Sequence, residues 1–462
     1  MTIHRRFLLG TVAGVCLGAS ATVGSGRAAA GGAKRRNTSD AVGSVLQAAE
    51  LGLRPDAQRD QTGTFQRAID IAARAQVPLQ LQPGRYVCSQ LQLRSQTRLQ
   101  GVGEQTLIAL SGSGASIKAE DCKGVSLCDL SVRGELFRDS ATNPHLISLE
   151  GCTDLLVERV TLSDCPGTAL SLRRCQGRVT ASRFSNAGRA AIMSVDATGL
   201  SVDHNDVSRC HNNGILIWRE QRGVDGTLVA HNRVSQIAAM DGGSGQNGNG
   251  INIFRAGGVI VQGNHISDCA FTAVRGNSAS NLQIIGNNTA RLGEVALYSE
   301  FAFEGVVIAN NVVEQAATGI SVTNFNEGGR LAVVQGNVVR SLFRREQEVT
   351  DKRGIGISVE ADTSVTGNTI EGAPTAGISI GWHEWMRNVA ATGNVVRDCG
   401  VGVGVTGTDA AGAALVSNNV FDRCRNGGIR QTKGSAIYGA DLTNSTGQVA
   451  SGRMSATGNL MV

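Results

Sequence analysis

The chain has 462 residues, 60 of them glycine and 6 proline, and is 41% hydrophobic but only 4% aromatic. A thick globular core of this mass draws on more large rings, so the composition points to a narrow core of Val, Ile, Leu and Ala. The formal charge is +5; removing residues 1–30 takes away three arginines and no acid, leaving +2, which removes the compositional case for nucleic-acid binding.

Residues 1–30 carry Arg5 and Arg6, one variable residue, Leu8 and Leu9, a mildly apolar span and the small-residue site Ala28-Ala29-Ala30. This resembles a twin-arginine export signal, a cleaved and receptor-read address, and the span is too short and too Gly-rich to cross a membrane well. The resemblance implies the twin-arginine translocase as a partner during export, a periplasmic or extracellular destination and no membrane span in the mature chain. Residues 31–58 read as a flexible or partly helical leader, with a helix-like apolar piece at 42–53. Residues 59–80 read as a capping helix, begun by Asp60 or Thr62 and apolar along Phe65, Ala68, Ile69 and Ala72. Pro83-Gly84 then turns the chain into a strand around Tyr86-Val87.

Residues 81–462 read as one solenoid. An apolar stretch ending in Asn recurs at Asn205, Asn232, Asn264, Asn287, Asn310, Asn337, Asn368, Asn394 and Asn418, at intervals of 23 to 32 residues. Between these lie "GILIW" from Gly214, "GINIF" from Gly250, and "GISV" or "GISI" from Gly319, Gly356 and Gly377. A repeat this short and this β-branched is a coil of stacked strands rather than a helical array. Asn tolerates the left-handed backbone and bonds neighbouring backbone, so Asn residues stacked about 4.8 Å apart are expected to form a hydrogen-bonded ladder.

The helix, the Pro83-Gly84-x-Tyr86 turn, the stretch "LQLRSQTRLQGVG" ending on Gly101 and Gly103, and the Asn turns together resemble the pectin-lyase-like superfamily over about residues 60–460. Within it the chain is most similar to twin-arginine-exported β-helix repeat proteins. The resemblance implies an all-β, single-stranded right-handed parallel β-helix whose N-terminal helix plugs the open end. That coil serves lyases, hydrolases, epimerases, esterases and noncatalytic adhesins, so it does not name a reaction. The paired aspartates of polygalacturonases and the calcium-binding Asp cluster of pectate lyases are both missing from the expected column.

Ten cysteines lie outside the signal. Cys122, Cys152 and Cys175 open comparable segments, and Cys165, Cys210, Cys269, Cys399 and Cys424 share a slot after a strand. Recurrence at one phase of the coil favours stacked, buried free thiols over disulfides, and no spacing suggests zinc.

Function has to come from side chains that leave the coil. Trp218, Arg219 and Glu220; Phe254 and Arg255; Arg275 and Asn277; Tyr298 and Glu300; Asn324, Phe325 and Asn326; Glu360 and Asp362; and Trp382, His383 and Glu384 fall at nearly one phase. Aromatics, arginines and carboxylates along an extended edge suit an acidic polysaccharide, the rings stacking on sugars and the guanidiniums pairing with carboxylates. The substrate-binding set is Trp218, Arg219, Arg255, Arg275, Asn277, Asn324 and Trp382. The catalytic set is Tyr298, Glu300, Glu360 and His383: for elimination, Tyr298 or His383 as base; for hydrolysis, Glu300 with Glu304 or Glu360 as the carboxylate pair. Noncatalytic carbohydrate binding in a cell-envelope scaffold and uronate epimerisation stand as alternatives. Calcium is the one cation considered, at Glu300 or the Met240–Gly250 loop, and the charged insert 341–354 is expected beside the same face.

Overall fold

The structure, a computed structural model, describes residues 45–462 apart from 113, 136–144, 324–327, 347–351, 435, 444, 446 and 449–452; residues 1–30, expected to be an export signal, lie outside the described residues. Each regular turn of the chain supplies one short strand to each of three parallel sheets. Ile260–Gln262 followed by Leu282–Ile285 belongs to the first, His265–Cys269 followed by Asn288–Leu292 to the second, and Thr272–Asn277 followed by Val295–Glu300 to the third. The chain is therefore a right-handed parallel β-helix, as the repeat implies.

Alternation within each strand builds the core. The inward positions stack apolar residues turn upon turn: Val229, Val261, Ile284 and Ile308 in the first sheet, Val207, Val234 and Ile266 in the second, where the buried Thr289 follows, and Ile215, Ile251, Val274 and Leu297 in the third. Outward on the second sheet, Glu314, Arg340, Glu371, Arg397 and Asp422 follow one another in register, alternating in sign.

The corner between the first and second sheets holds the ladder. Asn264 Nδ2 donates to Asn287 Oδ1 at 2.9 Å and to the Val229 carbonyl of the preceding turn at 3.0 Å, while Asn264 Oδ1 accepts from the backbone N–H and the side chain of Asn232. The same pattern runs from Asn205 to Asn459, but its members are Asn311 and Asn419 rather than the expected Asn310 and Asn418. The reason is conformational: the residue before each ladder Asn is left-handed, and Asn310 (φ 57°) and Asn418 (φ 55°) fill the place that Gly263, Gly286 and Gly336 take elsewhere. In these tandem pairs the first Asn makes the turn and the second makes the ladder.

Helix α1, Thr62–Ala75, buries Phe65, Ala68, Ile69, Ala72 and Ala73. Asp60 accepts from the Thr62 N–H at 2.7 Å. The helix also closes an open sheet edge. The Gln66 side-chain amide donates to the Gln92 carbonyl and accepts from the Gln92 N–H, both at 2.8 Å, and Thr62 Oγ1 accepts from the Ser89 N–H at 2.8 Å, so side chains stand in for the missing neighbouring strand. The described end of the leader is not helical: Leu46–Gln47 is a strand paired in parallel with Leu79–Gln80. Pairing to the first turn of the coil outweighs the helical pattern of so short a segment.

All ten described cysteines are free, nine of them buried and Cys128 partly so. Burial pushes the Cys165 and Cys210 thiols up to about 11, which keeps them protonated.

Candidate functional site

The third sheet presents two outward columns where the sequence suggested one. Leu216, Asn252, Arg275, Tyr298 and Ser321 stack in the first; Trp218, Phe254, Asn277, Glu300 and Thr323 stack in the second. The residues between them, such as Ile217, Ile253 and Val322, point into the core, so alternation forces the split.

Where the columns adjoin, a polar cluster lies buried. Arg275 donates from Nε and Nη2 to Glu300 Oε1 at 2.8 and 2.5 Å, and Asn277 Nδ2 donates to the same oxygen at 2.8 Å. Glu300 is 1% exposed and Arg275 7%. At that burial the pair is sustained by its mutual hydrogen bonds, because either charge alone would be strongly penalised. Arg275 also lies over the Tyr298 ring, 5.0 Å from its centre, and its Nη1 donates to the Ser244 carbonyl at 2.7 Å. Burial first, and the Glu300 charge second, push the Tyr298 phenol up to about 12; its oxygen lies 3.4 Å from Thr323 Oγ1.

Nearer the edge the side chains emerge. Trp218 Nε1 donates to Asn252 Oδ1 at 3.1 Å, and its ring meets Phe254 edge-on at 5.9 Å. Arg255 lies 4.6 Å over the Phe254 ring and bonds the Glu220 carbonyl. Beyond the strand the backbone turns through a left-handed position, held by Asp121, Gly151, Arg174 and Asp196 on earlier turns and by Arg255, Ser278 (φ 53°) and Phe301 (φ 60°) here. An aromatic residue in that conformation costs roughly 1–2 kcal/mol. A cleft of about 500 Å³ opens here, lined by Gln221, Arg222, Phe254, Arg255, Asn277, Ser278 and Phe301.

The other expected residues are dispersed. Arg219 donates to the Ala197 carbonyl at 3.2 Å, tying down the corner instead of facing the cleft. Glu360 follows Val359 two turns beyond the Glu300 strand and is 4% exposed. Trp382, 47% exposed, and His383, its ring 5.0 Å away, lie one turn further, beyond the strand end. The four catalytic candidates thus split into an adjoining Tyr298 and Glu300 and two separate residues. Asp362 and Glu304 sit in the first sheet, paired with Arg387 and Arg330, because the chain has already rounded the corner. Asn324, Phe325 and Asn326 lie outside the described residues.

Several contributors were not legible in advance. Asn252 anchors Trp218 and donates to the Gly245 carbonyl at 3.4 Å, and Arg353 meets the buried Glu294 at 3.5 Å. The Gly-rich loop thus contacts Asn252 of the third sheet, and Arg353 at the end of the charged insert contacts the residue before a strand of that sheet. Arg222 and Phe301 lie past the positions that the strand-end repeat marks, so the repeat gives no signal for them. Among the described residues no cluster of three or more His, Cys, Asp or Glu could hold a metal ion, and no helix is long and apolar enough to cross a membrane.

The fold and this outward face define a right-handed parallel β-helix protein. Residues 145–339 match the family model described as the right handed beta helix region. Among solved structures the chain is similar to the N-terminal fragment of bacteriophage phi29 gene product 12, at 14% identity and a TM-score of 0.60 over 87% of this chain and 74% of that one. It is also similar to the pre-mature form of that protein, at 12% identity and a TM-score of 0.50 over 87% and 58%. PfbA, a surface adhesin of Streptococcus pneumoniae, aligns at 15% identity and a TM-score of 0.48 over 90% and 99%. At such identities the likeness is one of fold. No curated protein matches the chain in sequence.

Proposed function

We propose that the protein is an exported polysaccharide-binding β-helix whose ligand lies across successive turns, along the outer edge of the third sheet. The observation that carries this reading is the row Trp218, Phe254 and Asn277 on three consecutive turns, with exposed Trp382 further along the chain beyond a strand end of the same sheet. Strand spacing sets the aromatic rings roughly 5 Å apart per turn, and rigid rings held this way stack on sugars at little entropic cost. Export by the twin-arginine translocase, the reading of Arg5, Arg6, Leu8 and Leu9, brings this edge to the periplasm or cell exterior. Titration calorimetry against a panel of neutral and acidic polysaccharides tests the reading. Trp218→Ala and Phe254→Ala are each expected to weaken binding about tenfold, and Glu314→Gln on the second sheet to leave it unchanged. Absence of binding to every member of the panel would refute it.

Cleavage of the bound chain is a second reading, favoured by Tyr298. A phenol kept protonated beside a fixed carboxylate is suited to donating a proton to a leaving oxygen rather than to abstracting one. New unsaturation would mark a lyase, new reducing ends a hydrolase, and exchange of the uronate C5 proton an epimerase. Each assay is run with added calcium and with a chelator, and turnover is expected to vanish in Tyr298→Phe.

A further inference from the structure

We infer that the cleft between Phe254 and Phe301 is a subsite for one anionic sugar ring, bearing a carboxylate or a sulfate, and that Arg222 and Arg255 set its charge preference. This rests on the polysaccharide reading above and specifies the ligand at one place on that edge.

The cleft follows from the order of residue sizes at the left-handed corner. Arg255, Ser278 and Phe301 occupy that corner on three successive turns, so a small residue lies between two large ones. Neighbouring turns are about 4.8 Å apart, which leaves roughly 10 Å between the Arg255 and Phe301 positions, room for one pyranose ring. Phe254, whose ring carries Arg255 at 4.6 Å, and Phe301 line the cleft together with the polar Asn277 and Ser278. Phe301 holds a left-handed conformation in which Gly, present at this corner as Gly151, is less strained.

Charge makes the argument specific. Arginines elsewhere on this coil commonly face a carboxylate: Arg159 with Asp129, Arg173 with Glu220, Arg291 with Asp268, Arg397 with Glu371 and Arg423 with Asp398. Arg222 and Arg255 are exposed and, among the described residues, neither is ion-paired. The nearby acids are already engaged, Glu220 by Arg173 and Glu300 by Arg275. Two uncompensated guanidiniums beside aromatic surface form a site for an anionic ring, the rings taking its apolar face and the arginines its charge.

The test compares three soluble oligosaccharides by titration calorimetry: a hexuronate oligomer, its methyl ester, and a sulfated neutral oligomer. The hexuronate is expected to bind at least tenfold more tightly than its ester, and the ratio of the two affinities to collapse towards one in Arg222→Gln/Arg255→Gln. The same arginine dependence confined to the sulfated oligomer would support the site and assign its anion as sulfate. Equal binding of all three, or a charge preference that survives in the double variant, overturns the subsite while leaving the polysaccharide reading in place. Failure of the wild type to bind any of the three overturns the subsite, and the wider panel then decides the broader reading on its own. Phe301→Gly, which relieves the left-handed strain, is expected to fold at least as well as the wild type and to bind the favoured anion several-fold more weakly.

Discussion

Glu300 and Tyr298 are ionisable groups whose behaviour is set by neighbours from adjacent turns. Glu300 accepts three hydrogen bonds on one oxygen from Arg275 and Asn277, one turn earlier. Glu300→Gln removes the charge that balances a nearly buried guanidinium, and the expected loss is about 3–5 kcal/mol, measured as a lower midpoint in chemical denaturation. Tyr298 is a titrating group of the cluster. Its folded pKa, pushed up to about 12, lies above the unfolded value near 10, so its contribution is complete below about pH 10 and is lost as pH rises towards 12. Alkaline absorbance titration of the wild type should show a late tyrosine step that Tyr298→Phe lacks, and the variant's melting temperature should fall less steeply over that interval. The sequence shows that these side chains leave the coil at one edge. Their separation into two columns, with Tyr298 and Glu300 both buried, follows from alternation within the strand, which a phase read from strand ends does not resolve.

At the scale of the element, the ladder and the left-handed turn divide two roles that look the same in sequence. Asn264 serves four hydrogen bonds between turns, so Asn264→Ala leaves buried groups of Asn232 and Val229 without partners, at an expected cost of about 3 kcal/mol or more. Asn310 supplies a left-handed backbone, so Asn310→Gly should change stability by less than about 1 kcal/mol. Comparison of the two denaturation midpoints checks the assignment; equal losses would show that the ladder runs through both members of the tandem pair. Helix α1 was legible for the ordinary reason that its apolar face repeats at helical spacing. The strand at Leu46–Gln47 was not, since its partner at Leu79–Gln80 lies beyond the intervening helix.

For the molecule as a whole, each turn contacts mainly the turns on either side, so stability is close to a sum of nearest-neighbour terms. Deleting residues 394–418 removes one complete turn, joins Gly393 to the ladder residue Asn419, and leaves the proposed binding edge intact. The shortened protein should keep its β circular dichroism and bind polysaccharide within about twofold of the wild type, with a modestly lower melting temperature. A collapse of the spectrum would show that the coil folds as one indivisible unit. The same stacking accounts for the alternating row Glu314, Arg340, Glu371, Arg397 and Asp422: each exposed pair is worth little, but the row favours one alignment of turns over a shifted one.

The sequence by itself determined the coil, its capping helix and the existence of an Asn ladder, because each follows from local periodicity in the chain. Which Asn of a tandem pair joins the ladder, which acid is neutralised by which arginine, and where a small residue between two large ones opens a cleft were decided only by the tertiary structure. Those outcomes depend on residues some two dozen positions apart becoming neighbours at the spacing of adjacent strands, and the loops that set the length of each turn vary too much for that pairing to be counted off the sequence.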